Sequence, residues 1–220
     1  MTLTVVKCGG AALSRGAFVL ERYVEPPAGV CVVHGAGARI TAALERARIE
    51  SHFVGGRRFT SAEALPIVRE AFLLENDELC RQIGRNAVGL MGDDLGLEAD
   101  RLAGYGHVGL LRPIIPDRLR QVLDEGRVPV IAPLARGPLN VNADDAAAIL
   151  AIALSAERIV FVSDVPGVIV DGEVVAKLSA RDISGLGAAL TGGILPKLEA
   201  ALAAARGGIR AEVGATLVVA

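Results

Sequence analysis

Two lysines and an aspartate are the residues of this sequence whose types best suit chemistry on a phosphate. Lys7 stands in VVKCGG, Lys197 in TGGILPK and Asp144 in NVNADD, so each lysine has a glycine pair close by. Phosphoryl transfer asks little covalent chemistry of a protein, but it needs in-line positioning and positive charge on the equatorial oxygens. A carboxylate between two lysines would hold them in place. Although Lys197 taken alone would equally suit a solvated helix surface, the combination predicts phosphoryl transfer.

Two predicted strands end in glycine and supply candidate anion sites. The first runs into Gly9 and Gly10, and the second into Gly35, Ala36 and Gly37. Glycine lets a backbone N–H approach a ligand closely and permits positive φ, and the N-terminus of a following helix attracts an anion. For either turn alone, an ordinary strand-to-helix turn is an equally good interpretation. Neither turn matches the Walker A motif, and GAGARI lacks the third glycine of the dinucleotide fingerprint, which argues against a nicotinamide-binding domain.

Four polar residues open an otherwise apolar helical segment, LNVNADDAAAILAIAL. They are Asn140, Asn142, Asp144 and Asp145. Asn142 or Asp144 suits a helix N-cap, but capping accounts for only one of the four. We therefore expect Asn140 and Asp144 to belong to a site, and Asn142 and Asp145 to be structural. Arg58, in GGRRFT, adds a guanidinium fork that suits a carboxylate, although by itself it is equally consistent with a solvated turn.

The remaining reactive side chains are predicted to be structural. The histidines do not cluster, no zinc motif or nucleophile elbow is present, and His34 and His107 are expected to be structural or peripheral. Cys8 adjoins Lys7 on a strand, where neighbouring side chains face opposite ways, so we assign it to the core. An odd, sparse set of three cysteines indicates a reducing compartment, not a disulfide framework.

Composition narrows the class of protein further. The chain of 220 residues is 52% hydrophobic and 3% aromatic, with a formal net charge of -2. The core is therefore predicted to consist of Ala, Val, Leu and Ile, as in proteins with buried parallel strands. The charge leaves no basic footprint for nucleic acid, and no apolar run is long enough to span a bilayer. We expect a soluble, cytoplasmic protein.

Apolar β-branched runs alternate with helical patterns, which predicts parallel βαβ units. Strands are predicted at 4–7, 30–34, 87–91, 128–132 and 159–163, and helices at 38–49, 63–81, 116–126 and 196–206. Two hairpins are predicted, one turning at Gly55 and Gly56 and the other at Asp171 and Gly172. Turn residues in PLARGPL mark a boundary between two lobes, which we expect to share one continuous sheet.

Eight segments of the sequence resemble, in chain order, segments of the amino acid kinase family. They are VVKCGGAAL, VVHGAGARI, GGRRFTSAEAL, GYGHVG, VPVIAPL, LNVNADDAAAILAIAL, VSDVPGV and LTGGILPKLEAA. Within this family they are most similar to the acetylglutamate kinases of arginine biosynthesis, over residues 3 to 208. The resemblance implies an α/β fold: a three-layer αβα sandwich around a largely parallel central sheet. It also implies transfer of the γ-phosphate of ATP to the side-chain carboxylate of N-acetyl-L-glutamate.

The resemblance also implies roles for individual residues. Lys7 and Lys197 would stabilise the transferring phosphoryl group and Asp144 would orient both lysines, while Arg58 and Asn140 would hold the α-carboxylate of the acceptor. The turn residues Gly35 and Ala36 would line the acceptor site, and the nucleotide would contact Gly9, Gly10, Gly37, Ser163, Asp164 and Gly193. Residues 1–135 would bind the acceptor and residues 136–220 the nucleotide. Mg²⁺ would be carried by the nucleotide phosphates, without a cage of protein ligands.

Three features depart from the family pattern. Ala36 replaces a glycine of a three-glycine run, and the short segment between the two glycine turns implies an abbreviated first helix. The residues after Arg206 leave room for closing strands but not for the helix that normally separates them, which shortens the fold at this end. The sequence also begins directly at the first predicted strand, and we therefore expect a homodimer that is insensitive to arginine.

Two alternative functions stay open. VVKCGGAA also resembles kinases that act on glutamate or aminoadipate attached to a small acidic carrier protein, whereas NVNAD favours the free acetylated acceptor. The second alternative is a regulatory protein that binds an amino acid or a nucleotide without turnover. The presence of Lys7, Asp144 and Lys197 argues against it, because binding alone would not need all three.

Overall fold

The chain folds around an open β-sheet, and a computed structural model describes residues 2–9, 29–163, 165–186 and 194–220. The strands are β1 Leu3–Cys8, β2 Gly29–His34, β3 Phe53–Val54, β4 Arg57–Arg58, β5 Ala87–Met91, β6 Ala99–Arg101, β7 Val108–Leu111, β8 Val128–Ala132, β9 Leu134–Ala135, β10 Leu139–Val141, β11 Arg158–Phe161, β12 Ile169–Val170, β13 Glu173–Val174, β14 Lys177–Ser179, β15 Arg210–Val213 and β16 Thr216–Val219. The helices of the described residues are α1 Gly37–Ala47, α2 Ala64–Ile83, α3 Gly92–Leu95, α4 Asp117–Asp124, α5 Ala143–Ala153, α6 Ala180–Leu186 and α7 Ile194–Arg206.

Eight strands form the central sheet, in the order β14-β16-β15-β11-β1-β2-β8-β5. The six strands from β15 to β5 are parallel, whereas β16 pairs antiparallel with β15, and β14 runs parallel to β16. Strand β1 lies between β11 and β2, so the carboxyl ends of these three strands meet at one edge. The largely parallel sheet is thereby confirmed, and Lys7 lies at the edge where open α/β sheets bind ligands.

Helices cover both faces of the sheet, as successive residues of β1 show. Val5 packs into the core that includes side chains of α4, α5 and α7, whereas Val6 packs on the opposite face against Leu79 of α2. Both residues are fully buried. Strands buried on both faces read as continuous apolar runs, which is why TVV and VCVV contain no alternating polar residues. The predicted three-layer αβα sandwich is confirmed.

A second, smaller sheet carries polar residues of the chain to the same edge. Its order is β6-β7-β10-β9. Strand β10 pairs parallel with β7 and antiparallel with β9, and β6 pairs antiparallel with β7. Asn140 lies in β10 opposite Val108 of β7. An isolated bridge between Thr60 and Gly106 joins the segment after β4 to the segment before β7. The hairpin β3–β4 and strand β10 are therefore brought close together.

Both predicted hairpins and the closing strands are confirmed. The turn between β3 and β4 has positive φ at Gly55 and Gly56, of 51° and 75°. Strands β15 and β16 are joined by a tight turn at Gly214, and no helix separates them. PLARGPL forms the turn between β9 and β10, while the central sheet runs on without a break because β11 pairs with β1. The assignment of separate acceptor and nucleotide lobes stays a prediction.

Candidate functional site

Two lysines from opposite ends of the chain meet one carboxylate. Nζ of Lys7, near the end of β1, lies 2.8 Å from Oδ1 of Asp144 in the first turn of α5. Nζ of Lys197, in α7, lies 3.2 Å from the same oxygen. The three side chains are only 8%, 13% and 13% exposed. The structure thus brings together the three residues that the sequence singled out for phosphoryl transfer.

The charges of this cluster leave an excess of one positive charge. Burial alone would raise the pKa of Asp144, but Lys7 and Lys197 outweigh it and hold that pKa below its usual value. Burial, together with the neighbouring charge of Lys7, lowers the pKa of Lys197, and Asp144 opposes this. One carboxylate cannot neutralise two ammonium groups, so the cluster favours an added anion such as a phosphate.

The choice of lysine at these positions is itself informative. The chain has 20 arginines but only three lysines, at 7, 177 and 197. Two of those three lie in the buried cluster, and Lys177 is exposed on β14. A lysine ammonium is a compact point charge, whereas the larger guanidinium presents a planar fork. This bias is a sequence signal that would have marked Lys7 and Lys197 without any motif.

The start of α5 is held by Asn142, which is its N-cap. Oδ1 of Asn142 accepts hydrogen bonds from the backbone N–H groups of Asp144 and Asp145, at 2.8 and 3.1 Å. The carboxylate of Asp145 pairs with Arg57 across to the hairpin β3–β4. The cap expected of Asn142 is therefore confirmed, Asp145 makes a structural ion pair, and the side chain of Asp144 is left free to face the lysines.

A cavity of about 230 Å³ opens beside the cluster. Residues singled out from the sequence that line it are Lys7, Gly9, Gly35, Ala36, Gly37, Arg58, Asn140 and Asp144. Its apolar lining comes from Ile40, Phe53, Phe72 and Val108. Two further polar lining residues, Arg57 and Asn142, were not predicted to face a site. For Asn142 the helix-cap pattern concealed its second role, and for Arg57 the neighbouring Arg58 was the more obvious candidate.

Arg58 is fixed by hydrogen bonds that leave part of its guanidinium available. It is 7% exposed. Nη2 donates to the carbonyl oxygen of Gly37 at 3.1 Å and to Oγ1 of Thr41 at 2.7 Å, and Nη1 donates to Oγ of Ser51. The guanidinium also lies 4.5 Å from the ring centroid of Phe53. Since a guanidinium has five N–H donors, these three hydrogen bonds leave two donors without a protein partner among the described residues.

Asn140 is linked to the same arginine through a threonine. Nδ2 of Asn140 donates to Oγ1 of Thr60 at 3.0 Å, and that hydroxyl donates to the carbonyl oxygen of Arg58 at 3.1 Å. Asn140 and Thr60 are both buried. This chain of hydrogen bonds holds Asn140 and Arg58 at fixed relative positions on the cavity wall, as binding of one ligand group by both residues would require.

The described glycines of the two turns do not use the positive φ that glycine permits. Gly9, Gly35 and Gly37 are not among the residues with positive φ, and Ala36 has a φ of -133°. Positive φ is therefore not the reason for glycine at these three positions. A Cβ at Gly35 would lie 3.7 Å from Cβ of Ala143, and a Cβ at Gly37 would meet nothing within 4 Å. Glycine at these positions leaves open space for a ligand, and the methyl group of Ala36 requires no strained backbone.

The family of the chain follows from comparison with known proteins. Residues 2–214 match the model of a family described as the amino acid kinase family. The chain belongs to the amino acid kinase family. Acetylglutamate kinase from Frankia casuarinae is 38% identical to it, over 93% of this chain and 64% of that protein. This amino acid kinase therefore spans less than two thirds of the length of that relative.

The chain covers more of the length of two further relatives. Acetylglutamate kinase from Geobacillus kaustophilus is 37% identical to this amino acid kinase, over 91% of the chain and 84% of the relative. Among solved structures, smu.665 from Streptococcus mutans UA159 superposes with a TM-score of 0.85 at 25% identity, covering 99% of this chain and 98% of that one. The amino acid kinase fold expected from the sequence is thus confirmed.

The predicted nucleotide contacts lie only partly within the described residues. Gly9 and Gly37 line the cavity. Ser163 follows β11 at the ligand-binding edge of the sheet, where its Oγ accepts a hydrogen bond from the N–H of Val165 at 3.4 Å, and it does not line that cavity. Gly10, Asp164 and Gly193 lie outside the described residues, as does the abbreviated first helix. The nucleotide-binding roles of all these residues stay predictions.

The remaining candidate side chains are buried or distant from the cluster. Cys8 is fully buried in the core, which raises the pKa of its thiol to about 12. His34 is also fully buried, and its Nε2 lies 2.9 Å from Nδ2 of Asn76. The core assignment of Cys8 and a structural role for His34 are confirmed. No helix within the described part of the chain is long and apolar enough to cross a membrane.

The buried His34 should make the free energy of unfolding of the protein fall as the pH falls. Burial lowers the pKa of His34 from 6.5 to about 4. Between these values the unfolded chain binds a proton that the folded chain does not, so stability falls as the pH falls. The full shift corresponds to roughly 3 kcal/mol. Urea unfolding of wild type and His34→Asn from pH 7 to pH 4 should show a steeper loss for the wild type.

The exposed residue His52 provides the control for this prediction. It stacks on Phe59, with ring centroids 4.8 Å apart, and lies outside the core. His52→Asn should therefore keep the same pH dependence as the wild type. Parallel curves for wild type and His34→Asn would contradict a neutral, buried imidazole at position 34.

Proposed function

We propose that this amino acid kinase transfers the γ-phosphoryl group of ATP to the side-chain carboxylate of N-acetyl-L-glutamate, forming the acyl phosphate of arginine biosynthesis. One observation carries the choice of a carboxylate acceptor. Among the described residues that line the cavity, Asp144 is the only acid and no histidine is present. Because Asp144 is already bound to two ammonium groups that lower its pKa, it is a poor general base.

A carboxylate is the acceptor that needs no general base. Its pKa is about 4, so at neutral pH it is already an ionised nucleophile. An alcohol acceptor would have to lose a proton to a neighbouring base during transfer. The lining of the cavity therefore suits an acid better than an alcohol. The names of the relatives from Frankia casuarinae and Geobacillus kaustophilus agree with this choice.

The residues of the cavity can hold such an acceptor at both ends. Arg58 has two N–H donors left for the α-carboxylate, and Asn140 is fixed beside it. The apolar residues Ile40, Phe53 and Val108 offer a surface for the acetyl methyl group. These contacts would direct the side-chain carboxylate toward Lys7, which lines the same cavity.

During transfer, one bond forms and one breaks at the γ-phosphorus. An oxygen of the acceptor carboxylate bonds to phosphorus while the bond to the β–γ bridging oxygen breaks, and ADP leaves. Lys7 would stabilise the equatorial oxygens from the acceptor side, and Lys197 from the nucleotide side. Asp144 holds both ammonium groups in position through Oδ1. Positive charge fixed in advance lowers the barrier because it needs no reorganisation during the reaction.

Magnesium fits this site as an ion carried by the nucleotide. Within the described residues no group of three or more His, Cys, Asp or Glu side chains could hold a metal ion, and Asp144 is committed to the lysines. The phosphates of ATP would therefore provide the ligands. When bound, Mg²⁺ would supply positive charge that neutralises the nucleotide phosphates, beside the charge of Lys7 and Lys197.

The acceptor is tested by trapping the product with hydroxylamine, which converts an acyl phosphate to a coloured hydroxamate. Free N-acetyl-L-glutamate, glutamate and aminoadipate would each be supplied with MgATP. We expect hydroxamate with N-acetyl-L-glutamate and far less with the two free amines, which lack the acetyl group. Turnover with none of the three would overturn the proposal for free acceptors, and carrier-linked glutamate or aminoadipate would then be tested.

We further propose that the protein is a cytoplasmic homodimer. All three cysteines are free thiols, in agreement with a reducing compartment. The homodimer is inferred from the resemblance to the family. Light scattering on the purified protein should give twice the chain mass of 22.7 kDa. A mass equal to one chain would contradict the dimer.

A further inference from the structure

The hairpin β3–β4 carries the acceptor residue Arg58 but has little stability of its own. Its ladder consists of two residue pairs, Phe53 with Arg58 and Val54 with Arg57. Phe53 and Val54 are both exposed. A two-stranded hairpin is at best marginally stable in isolation. Contacts outside the hairpin must therefore determine where Arg58 lies relative to the phosphoryl group.

The two consecutive arginines of β4 anchor the hairpin in opposite directions. Because neighbouring residues of a strand face opposite ways, Arg58 bonds to α1 while Arg57 reaches α5. Nη2 and Nε of Arg57 lie 2.7 and 2.9 Å from Oδ2 of Asp145. The two side chains are 28% and 19% exposed. This pair is therefore screened less by solvent than an ion pair on the open surface.

The same hairpin touches both helices that carry the phosphoryl-binding residues. Asp145 adjoins Asp144, and the two share the Asn142 cap. Nδ2 of Asn142 lies 3.5 Å from the carbonyl oxygen of Gly56 in the hairpin turn. A Cβ at Gly56 would collide with the ring of Pro196, which precedes Lys197 in α7. The hairpin turn is thus packed between α5 and α7.

We propose that Arg57 and Asp145 are positioning residues, whose ion pair sets the distance between the acceptor-binding hairpin and the Lys7–Asp144–Lys197 cluster. Phosphoryl transfer needs the attacking oxygen in line with the scissile bond, and a shift of about 1 Å can cost on the order of 100-fold in rate. Release of the pair would let the hairpin move away from α5 and carry the acceptor with it. The inference depends on the proposed function only for the identity of the acceptor.

Removing one partner has a different consequence from removing both. Without Arg57, the carboxylate of Asp145 would remain partly buried and unpaired beside Asp144, and its pKa, which burial already raises, would rise further. Without both partners, no unpaired charge remains. A double variant is therefore expected to be no worse than either single variant, which is the signature of two residues that act together.

The kinetic experiment compares Arg57→Ala, Asp145→Asn and the double variant with the wild type. Each single variant should lower kcat/KM for N-acetyl-L-glutamate by about 10- to 100-fold, while the KM for ATP stays close to the wild-type value. Arg57→Lys should recover part of the loss, since it keeps the charge but not the two-donor geometry. A thermal melt of each variant establishes that it is folded.

Arg112→Ala is the matched control for loss of an arginine–aspartate pair. Nε and Nη2 of Arg112 donate to a single oxygen of Asp100, at 3.0 and 2.6 Å, in the same geometry as the Arg57 pair. Arg112 follows β7 and does not line the acceptor cavity. This variant should keep wild-type kinetics. If Arg57→Ala behaves like Arg112→Ala, the positioning role is overturned.

A direct role of Arg57 in binding the acceptor gives a different result. In that case Arg57→Ala would raise the KM for the acceptor while Asp145→Asn would leave it unchanged, and the two effects would add in the double variant. That pattern would also overturn the proposal. Only equal, non-additive effects of the two single variants agree with an ion pair that acts through the hairpin.

A second measurement does not depend on turnover. Amide hydrogen exchange of residues 53–58 should be faster in Arg57→Ala and in Asp145→Asn than in the wild type, because local opening reports lost anchoring. Exchange in β1 and β2 should stay the same. Unchanged exchange in the hairpin would overturn the positioning role. If the wild type does not phosphorylate N-acetyl-L-glutamate, the proposed function fails, and the exchange result still decides this inference.

Discussion

Lys197→Ala is expected to lower kcat by about 10²- to 10³-fold and to change the KM for the acceptor little. Nζ of Lys197 lies 3.2 Å from Oδ1 of Asp144. Among the described residues that line the acceptor cavity, Lys7 is present and Lys197 is not. In the wild type, the ammonium group of Lys197 would therefore act on the phosphoryl group in the transition state and not on the bound acceptor. Steady-state kinetics at saturating ATP would measure both parameters.

Lys177→Ala provides the matched control, because Lys177 is the one lysine of the sequence that lies outside the cluster. It lies in β14 and is exposed. Its removal should leave kcat and KM at their wild-type values, so a general effect of losing a lysine can be separated from a local one. A rise in acceptor KM with unchanged kcat in Lys197→Ala would contradict the transition-state role.

Asp144→Asn should lower kcat by about 10²-fold or more at neutral pH, with a loss that grows as the pH rises. Asp144 is the counter-charge of Lys7 and Lys197, and both contact its Oδ1. Asparagine keeps the shape but not the charge. The two ammonium groups would then repel each other without compensation and lose the positions from which they stabilise the phosphoryl group.

The direction of the pH effect follows from the pKa of Lys197. Burial and the charge of Lys7 lower this pKa, and Asp144 raises it. Removing Asp144 eliminates an opposing contribution, so the pKa of Lys197 falls further. Lys197 acts as a cation, and the alkaline limb of the kcat profile should therefore move to lower pH in Asp144→Asn.

The experiment is a kcat profile from pH 6 to pH 10 for wild type, Asp144→Asn and Asp100→Asn. Asp100 is an exposed partner of Arg112, remote from the lysines, and its replacement should leave the profile unchanged. An Asp144→Asn profile of the same shape as the wild type, merely scaled down, would contradict the charge coupling between Asp144 and Lys197.

Local features of this protein could be predicted because their causes lie within a few residues. Strand β2 was recognised from a continuous apolar run that ends in glycine, and the hairpin turn from Gly55 and Gly56. Asn142 was recognised as a possible cap because an amide directly before a helix can accept a hydrogen bond from N–H groups two and three residues on. The predicted helix ends differ from the observed ones by up to two residues, because helix ends fray.

The contacts that shape the cavity beside Lys7 could not be predicted in the same way. The carboxylate of Asp145 pairs with a residue 88 positions earlier, and Asn140 bonds to a hydroxyl 80 positions earlier. Nothing in the local sequence of Arg57 or Arg58 indicates which of them faces α5 and which faces α1. That choice depends on how the hairpin lies against both helices.

The sequence by itself determined the residue types of the Lys7–Asp144–Lys197 cluster, the glycine turns beside it and the order of the main strands and helices around the central sheet, but not the second sheet. Tertiary structure alone decided that Lys7 and Lys197 share one oxygen of Asp144, that Asn142 lines the cavity as well as capping α5, and that Gly9, Gly35 and Gly37 have no positive φ. The physical reason is range. Periodicity, caps and turns arise from neighbouring residues, whereas a buried charge cluster exists only when packing brings distant elements within about 3 Å of one another, the reach of a hydrogen bond.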